Sequence, residues 1–240
     1  MRHAGLLAHS PDGSALAFLE FCHAGPERFG AQLHPDITSD YIAVGHALPA
    51  WDRGDVAAVR EILARSIARL AAAGADFFFC PDNTAHIALE ADGEPLALPG
   101  LNIAGIVAAS AKARGLTKLA ILGTRFTMGG PVYPRALGAL GIDWVIPEEA
   151  DREAVDRIIF DELALGVLRE ESRARYCAVI DRLRDAGCDG AALVCTEIPL
   201  LISEADSNLP LLDSTRLIAR AAFELAVGEA PLPTWRGGPL

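Results

Sequence analysis

Lysine is nearly absent from this 240-residue chain, with Lys112 and Lys118 the only two. Both sit just before the apolar run Leu119–Leu122, where a surface role is favoured over a Schiff base. Basic residues as a whole are outnumbered, 21 Lys+Arg against 32 Asp+Glu, for a net charge of −11. Nucleic acids and anionic membranes are held mainly by Lys and Arg, so neither is expected as a partner. Long uncharged apolar runs are missing too. Asp76 interrupts the stretch from Leu70 to Cys80, and nothing approaches the roughly 18 residues that a membrane span requires. The N-terminal Met1–Ser10 has too short an apolar core for a signal peptide and runs straight into Pro11-Asp12-Gly13. Five cysteines (Cys22, Cys80, Cys177, Cys188 and Cys195) are odd in number and contain no Cys-x-x-Cys pair, which reads as reduced thiols in a cytoplasmic protein. Gly-x-Gly-x-x-Gly, Walker A and His-Glu-x-x-His patterns do not occur. The six histidines lack ligand-like spacing, His34 with His46 or His9 being the best of a poor set. No metal and no other cofactor is expected.

What is present is apolar and periodic. At 51% hydrophobic the chain can bury a full core, and its length permits one large domain or two small ones. Leu6–Ala8, Phe77–Phe79, Leu119–Leu122, Trp144–Ile146 and Ala191–Val194 are candidate buried strands. Between them, Val56, Val59, Ile62, Leu63, Ile67 and Leu70 recur at helical spacing, with Asp55 placed to cap the start and Gly74 the end. Tyr176, Val179, Ile180 and Leu183 mark a second helix that stops at Gly187. This alternation predicts an α/β fold with mostly parallel sheets and helices on both faces. Ligands in such folds gather at the carboxyl ends of the strands.

A repeat carries more information than any single motif. Residues 67–76 read Ile-Ala-Arg-Leu-Ala-Ala-Ala-Gly-Ala-Asp and residues 180–189 read Ile-Asp-Arg-Leu-Arg-Asp-Ala-Gly-Cys-Asp, identical at six of ten positions. The offset of 113 (67 to 180) carries Asp82 onto Cys195, and both copies continue into polar residues, Asn83-Thr84 and Thr196-Glu197. An internal duplication would place one proton-transfer group at each of two equivalent strand ends, on either side of a bound substrate. The alternative is two unrelated strand–turn–helix units in one large sheet, with Cys195 an ordinary buried thiol.

At these residues the chain resembles the aspartate/glutamate racemase superfamily. The motifs that carry the resemblance are Pro81-Asp82-Asn83-Thr84-Ala85-His86, Leu122-Gly123-Thr124-Arg125-Phe126-Thr127-Met128, Ile158-Ile159-Phe160-Asp161-Glu162-Leu163 and Cys195-Thr196-Glu197-Ile198-Pro199-Leu200-Leu201. Gly5-Leu6-Leu7 followed by Ser10-Pro11 fits more loosely. The resemblance implies two Rossmann-like α/β lobes, related by the duplication and working without pyridoxal phosphate. Their expected limits are residues 1–98 with 208–240, and 99–207, with the active site in the cleft between them. It also implies a pair of cysteines flanking the substrate α-carbon, one removing the α-proton and the other delivering a proton to the opposite face. Cys195 matches the second cysteine. The first position is Asp82 here, a departure from the pattern.

That departure changes the chemistry. A free Asp has a pKa of roughly 3.9 and a free Cys about 8.5, so the resting pair would be a carboxylate base and a thiol acid. Such asymmetry suits one-way proton transfer, or a decarboxylation in which Cys195 protonates the carbanion, better than symmetric racemisation. Burial raises a carboxyl pKa and would restore balance. Alternatively Asp82 only hydrogen-bonds and Cys195 acts alone. Cys80, in Phe77-Phe78-Phe79-Cys80-Pro81, is assigned to core packing, as are Cys22, Cys177 and Cys188.

Proton abstraction beside a carboxylate creates an enediolate-like anion, which hydroxyls and backbone N–H groups stabilise. Asn83, Thr84, Thr124, Thr127 and Thr196 are the candidates to bind substrate, with Ser10 weaker and better read as a helix N-cap. His86 either approaches the site or fills a helix interface, and Glu197 either orients Cys195 or caps backbone groups. Some relatives place a lysine shortly after the Glu-Leu of the third motif. Ala164-Leu165-Gly166-Val167 stands there instead, and Arg125 is the remaining candidate cation. The leading expectation is a cofactor-independent racemase or epimerase that removes and returns the α-proton of an amino acid or related carboxylate, with Asp82 and Cys195 on opposite faces and a homodimer compatible. The alternatives are a decarboxylase or cis–trans isomerase of a small dicarboxylate that uses Cys195, and a binding protein without activity.

Overall fold

In a computed structural model the protein is described at residues 1–30, 32–228 and 230–240. The chain divides into two compact units, Met1–Ile103 with Arg216–Leu240, and Ala104–Thr215. The first unit contains β1 (Ala4–Ala8), α1 (Pro11–Phe29), β2 (Ile37–Tyr41), α2 (Leu48–Asp52), α3 (Val56–Ala72), β3 (Phe77–Phe79) and α4 (Ala85–Leu89). The chain then enters α5 (Ile103–Ala113), followed by β4 (Lys118–Gly123), α6 (Arg125–Gly129), α7 (Val132–Gly138), β5 (Asp143–Val145) and α8 (Glu149–Asp161). Next come α9 (Glu170–Asp185), β6 (Gly190–Val194), α10 (Ile198–Leu201), β7 (Leu211–Asp213) and α11 (Ser214–Val227), the last returning to the first unit from Arg216.

Each unit is built on a parallel sheet, three-stranded in the order β2-β1-β3 and four-stranded in the order β5-β4-β6-β7. Strands β1, β3, β4 and β6 are the apolar runs visible in the sequence. A parallel sheet covered on both faces demands continuous hydrophobicity rather than alternation. In the first unit Phe21 stacks on Phe79 at 6.0 Å between ring centroids and meets Phe223 edge-on at 5.8 Å. In the second, Leu122, Leu193, Ile159, Tyr176 and Ile180 belong to one buried cluster that also includes Cys195.

Three strand assignments need correction. β5 is an exposed edge strand rather than a buried one, with Trp144 39% exposed and β4 its sheet neighbour among the described residues. β2 (Ile-Thr-Ser-Asp-Tyr) and β7 (Leu-Leu-Asp) were not expected. Edge position excuses the first from a hydrophobic run, and the second is only three residues long. Among the cysteines, Cys80 and Cys188 are buried, whereas Cys22 and Cys177 are half-buried; all five are free.

The sequence repeat is a repeat of structure. α3 and α9 end at equivalent residues, Ala72 and Asp185, and the glycines that follow, Gly74 and Gly187, have φ of +88° and +89°. At each end a backbone N–H reaches back five residues, Ala75 to Leu70 O (3.1 Å) and Cys188 to Leu183 O (3.0 Å). Only glycine adopts this left-handed turn without strain, which is why both copies keep it. The repeated aspartates are structural as well. Asp76 accepts the His3 N–H at 2.7 Å just before β1, and Asp189 accepts Lys118 N–H at 2.9 Å where β4 begins. The helices after β3 and β6 also start in register, α4 at Ala85 and α10 at Ile198, 113 residues apart.

Candidate functional site

In the first unit, β3 runs out at Phe79 and the chain turns through Cys80, Pro81, Asp82, Asn83 and Thr84 into α4. Asp82 is half-buried, and its Oδ1 accepts the Ala85 N–H at 3.2 Å. Asn83 is buried and donates to Pro81 O at 3.4 Å, while Thr84 holds the N-cap position of α4 without a side-chain cap bond. Cys80 points into the core, its thiol 3.9 Å from Asp82 O. Burial and the Asp82 charge push that thiol well above the usual cysteine range. It is therefore an inert packing group.

His86 fills the interior. It is fully buried, donates from Nε2 to Cys80 O at 3.0 Å, and stacks on Trp235 with ring centroids 6.0 Å apart and planes 10° from parallel. Burial lowers its pKa to about 4 against the opposing pull of the Cys80 carbonyl and Asp82. The ring is accordingly neutral at pH 7, with the Nε2 proton on the carbonyl and Nδ1 a lone pair without a hydrogen-bond partner.

Ser10 is the N-cap residue of the 19-residue α1, though its side chain makes no cap bond. His9 precedes it, considered from sequence only as a metal ligand. Its Nδ1 bonds Ile42 O at 2.8 Å and its buried Nε2 has no hydrogen-bond partner. Among the described residues, no group of three or more His, Cys, Asp or Glu could hold a metal ion.

In the second unit, Cys195 follows β6 directly and is 7% exposed. Its thiol donates to Glu197 Oε2 at 3.1 Å, and the Thr196 hydroxyl donates to the same oxygen at 2.6 Å. Glu197 is itself buried, so a carboxylate removed from water is compensated by two donors from its own turn. Of the two sequence readings for Glu197, the side chain binds the thiol. Tyr176, read from sequence as part of a core stripe, is buried near this pair. Burial first, then the nearby acidic groups Cys195, Asp156 and Glu197, hold its phenol far above the usual tyrosine range.

β4 ends beside β6, and the pair Gly123↔Val194 brings Thr124 level with Cys195. A Cβ on Gly123 would lie 2.7 Å from Val194 O, so glycine is what lets the two strand ends close up there. Thr124 caps α6, its hydroxyl accepting the Thr127 N–H at 3.2 Å and lying 3.1 Å from Thr127 Oγ1. Arg125 does not join this group. Its backbone N–H and Nη1 both bind Asp156, at 2.7 and 2.9 Å, and its guanidinium lies over Phe126 at 4.5 Å. The segment after Glu162-Leu163 exposes Leu165, Val167 and Leu168, and Arg169 pairs with Glu162 at 3.7 Å. The helices α4, α6 and α10 have only four or five residues, so anion stabilisation from a helix dipole is small here.

Residues 13–222 match the family described as Asp/Glu/hydantoin racemase. Among solved structures, the chain is similar to a candidate Asp/Glu racemase from Yersinia pestis, at 30% identity and a TM-score of 0.82, covering 95% of this chain and 100% of that one. It is also similar to an aspartate racemase homologue from Pyrococcus horikoshii, at 25% identity and a TM-score of 0.77, with the same coverage. An aspartate racemase from Picrophilus torridus, 22% identical over 95% of each chain with a TM-score of 0.69, shares the fold.

Proposed function

The chain belongs to the Asp/Glu/hydantoin racemase family, and from that premise we propose that it is a cofactor-independent racemase or epimerase of an amino acid or related α-substituted carboxylate. Asp82 and Cys195 are its two proton-transfer groups. One observation carries the reading. These two ionisable side chains hold equivalent positions in a duplicated helix–strand–turn, and one of them, Cys195, is a thiol whose proton is already held by a buried carboxylate.

In one direction the Asp82 carboxylate takes the α-proton, and the C–H electron pair passes into an enediolate-like carbanion. Cys195 then gives its thiol proton to the opposite face of the α-carbon. Asp82 is left as a carboxylic acid and Cys195 as a thiolate, the state that processes the opposite enantiomer. A proton returning from Asp82 to the sulfur through solvent resets the cycle. The Thr124 and Thr196 hydroxyls and the Asn83 amide supply hydrogen bonds as charge moves onto the substrate carboxylate.

NMR in D₂O with a panel of amino and hydroxy acids tests the reading. Wild-type protein should wash deuterium into the α-position of at least one member. Cys195→Ala should abolish the exchange while leaving the fold intact, and Asp82→Asn should cost most of it, since general acid–base catalysis contributes about 10²–10⁴-fold. Release of carbon dioxide without α-exchange, or a near-normal rate for Cys195→Ala, would overturn the proposal.

A further inference from the structure

The last eleven residues, 230–240, have no regular secondary structure, yet they are bound to the first unit at several points. Gly100 N–H donates to Trp235 O at 2.9 Å, Leu96 N–H to Arg236 O at 2.8 Å, and Gly238 N–H to Leu89 O at 2.9 Å. Arg236 Nη1 reaches the carbonyls of Leu96 and Ala97 at 3.0 and 2.8 Å. Trp235 is fixed further by its own Nε1–H, which donates to Gly238 O at 2.9 Å. One indole face is thereby held against His86, and the ring also packs on Phe78 at 6.0 Å.

We propose that this C-terminal segment clamps the turn that carries Asp82, with Trp235 and His86 as positioning residues. The chain of contacts is short. Trp235 covers the imidazole, the imidazole Nε2–H holds the Cys80 carbonyl, and the His86 backbone N–H donates to Asn83 O at 3.2 Å. Asp82 lies between those two anchored carbonyls, and its carboxylate is tied to Ala85 N–H one residue before the histidine. Without the indole, water reaches a ring whose burial is what keeps it neutral and in one tautomer. A protonated or displaced His86 no longer fixes the Cys80 end of the turn. Reacting groups tolerate little displacement, since an error of about 1 Å can cost 10²-fold in rate.

The catalytic consequence rests on the reading of Asp82 as a proton-transfer group; the clamp itself does not, and two measurements separate them. By amide hydrogen exchange, Trp235→Ala should speed exchange at Ala85 and Ile87 at least tenfold, leaving Leu6 and Leu7 of β1 unchanged. Trp235→Phe, which keeps an aromatic face, should restore protection. By α-proton exchange, Trp235→Ala should lower kcat at least tenfold with KM within about threefold, and Trp235→Phe should recover most of it. Unchanged protection at Ala85 in Trp235→Ala would overturn the clamp. So would uniform loss of protection that includes β1, because the tail would then be a general stabiliser. Wild-type protein inactive on every acid, but showing the local exchange pattern, would uphold the clamp and sink the proposed function.

Discussion

Cys195 Sγ lies 3.1 Å from Oε2 of Glu197, two residues further along the same turn, with the thiol as donor. The sulfur thus begins as a proton donor with a fixed direction, and Glu197 is a positioning residue for it. Glu197→Ala should lower kcat for α-proton exchange at least tenfold with little change in KM. Glu197→Gln retains a carbonyl oxygen to accept the thiol proton and should stay within about fivefold of wild type. Equal losses in the two variants would show that the charge, rather than the acceptor, is what matters.

His86 makes stability depend on pH in a defined window. Its folded pKa of about 4 lies below the ordinary value of 6.5 expected of the unfolded chain. Between those values the unfolded chain binds a proton that the folded protein does not, so stability rises with pH and is lost as pH falls. The histidine contribution should decrease by about 2 kcal/mol between pH 7 and pH 4.5. Urea midpoints for wild type and His86→Gln at both pH values check this. The wild-type midpoint should fall more steeply, and parallel slopes would remove His86 as the source.

The two repeated aspartates should differ in worth although they occupy equivalent positions. Asp76 accepts one strand N–H, from His3, whereas Asp189 accepts Thr117 N–H, Thr117 Oγ1–H and Lys118 N–H at 2.7, 2.6 and 2.9 Å. Those bonds, with burial opposing them, hold the Asp189 carboxyl below the usual carboxylate range. Asp189→Ala should destabilise by roughly 1–3 kcal/mol and Asp76→Ala by about 1 kcal/mol or less. Denaturant titration of the two variants decides it, and a larger loss for Asp76→Ala would contradict the bond count.

Free aspartate and glutamate should be poor substrates or none. No cation stands in the 164–168 segment, and Arg125 is committed to Asp156. If Asp82 is the proposed base, its carboxylate adds a negative charge beside the substrate. Repulsion from a second substrate carboxylate would be about 1 kcal/mol at 4 Å in water-like surroundings, and several-fold more at lower effective dielectric. Together with the missing cation, this amounts to roughly ten- to a hundredfold in affinity. Relative kcat/KM over acidic, neutral and basic amino acids provides the test. An acidic amino acid exchanging fastest would refute the expectation, and Arg125→Ala would then show whether that guanidinium leaves Asp156.

Much of the fold, and the two candidate turns, were legible because they sit where local rules are strong. Helix stops at Gly74 and Gly187, the apolar strands β1, β3, β4 and β6, and the Cys195-Thr196-Glu197 and Asp82-Asn83-Thr84 turns all follow from short-range chemistry. The edge strands β2 and β5 were missed or misjudged because neither is a buried apolar run, β2 reading Ile-Thr-Ser-Asp-Tyr and β5 exposing Asp143 and Trp144. His9 drew no attention beyond metal binding, since the Ile42 carbonyl that its Nδ1 bonds lies 33 residues further along the chain (9 to 42).

The amino-acid sequence by itself determined the duplication, the class of fold and the two ionisable strand ends, because periodicity, helix stops and repeated spacing act within about ten residues. Tertiary structure alone decided what those residues touch. It gave Arg125 to Asp156 and seated Trp235 on His86 across 149 positions of chain (86 to 235). Burial is the physical reason. Whether a charge is paired, a ring is neutral or a thiol is a donor depends on which groups replace water around it, and those groups come from elsewhere in the chain.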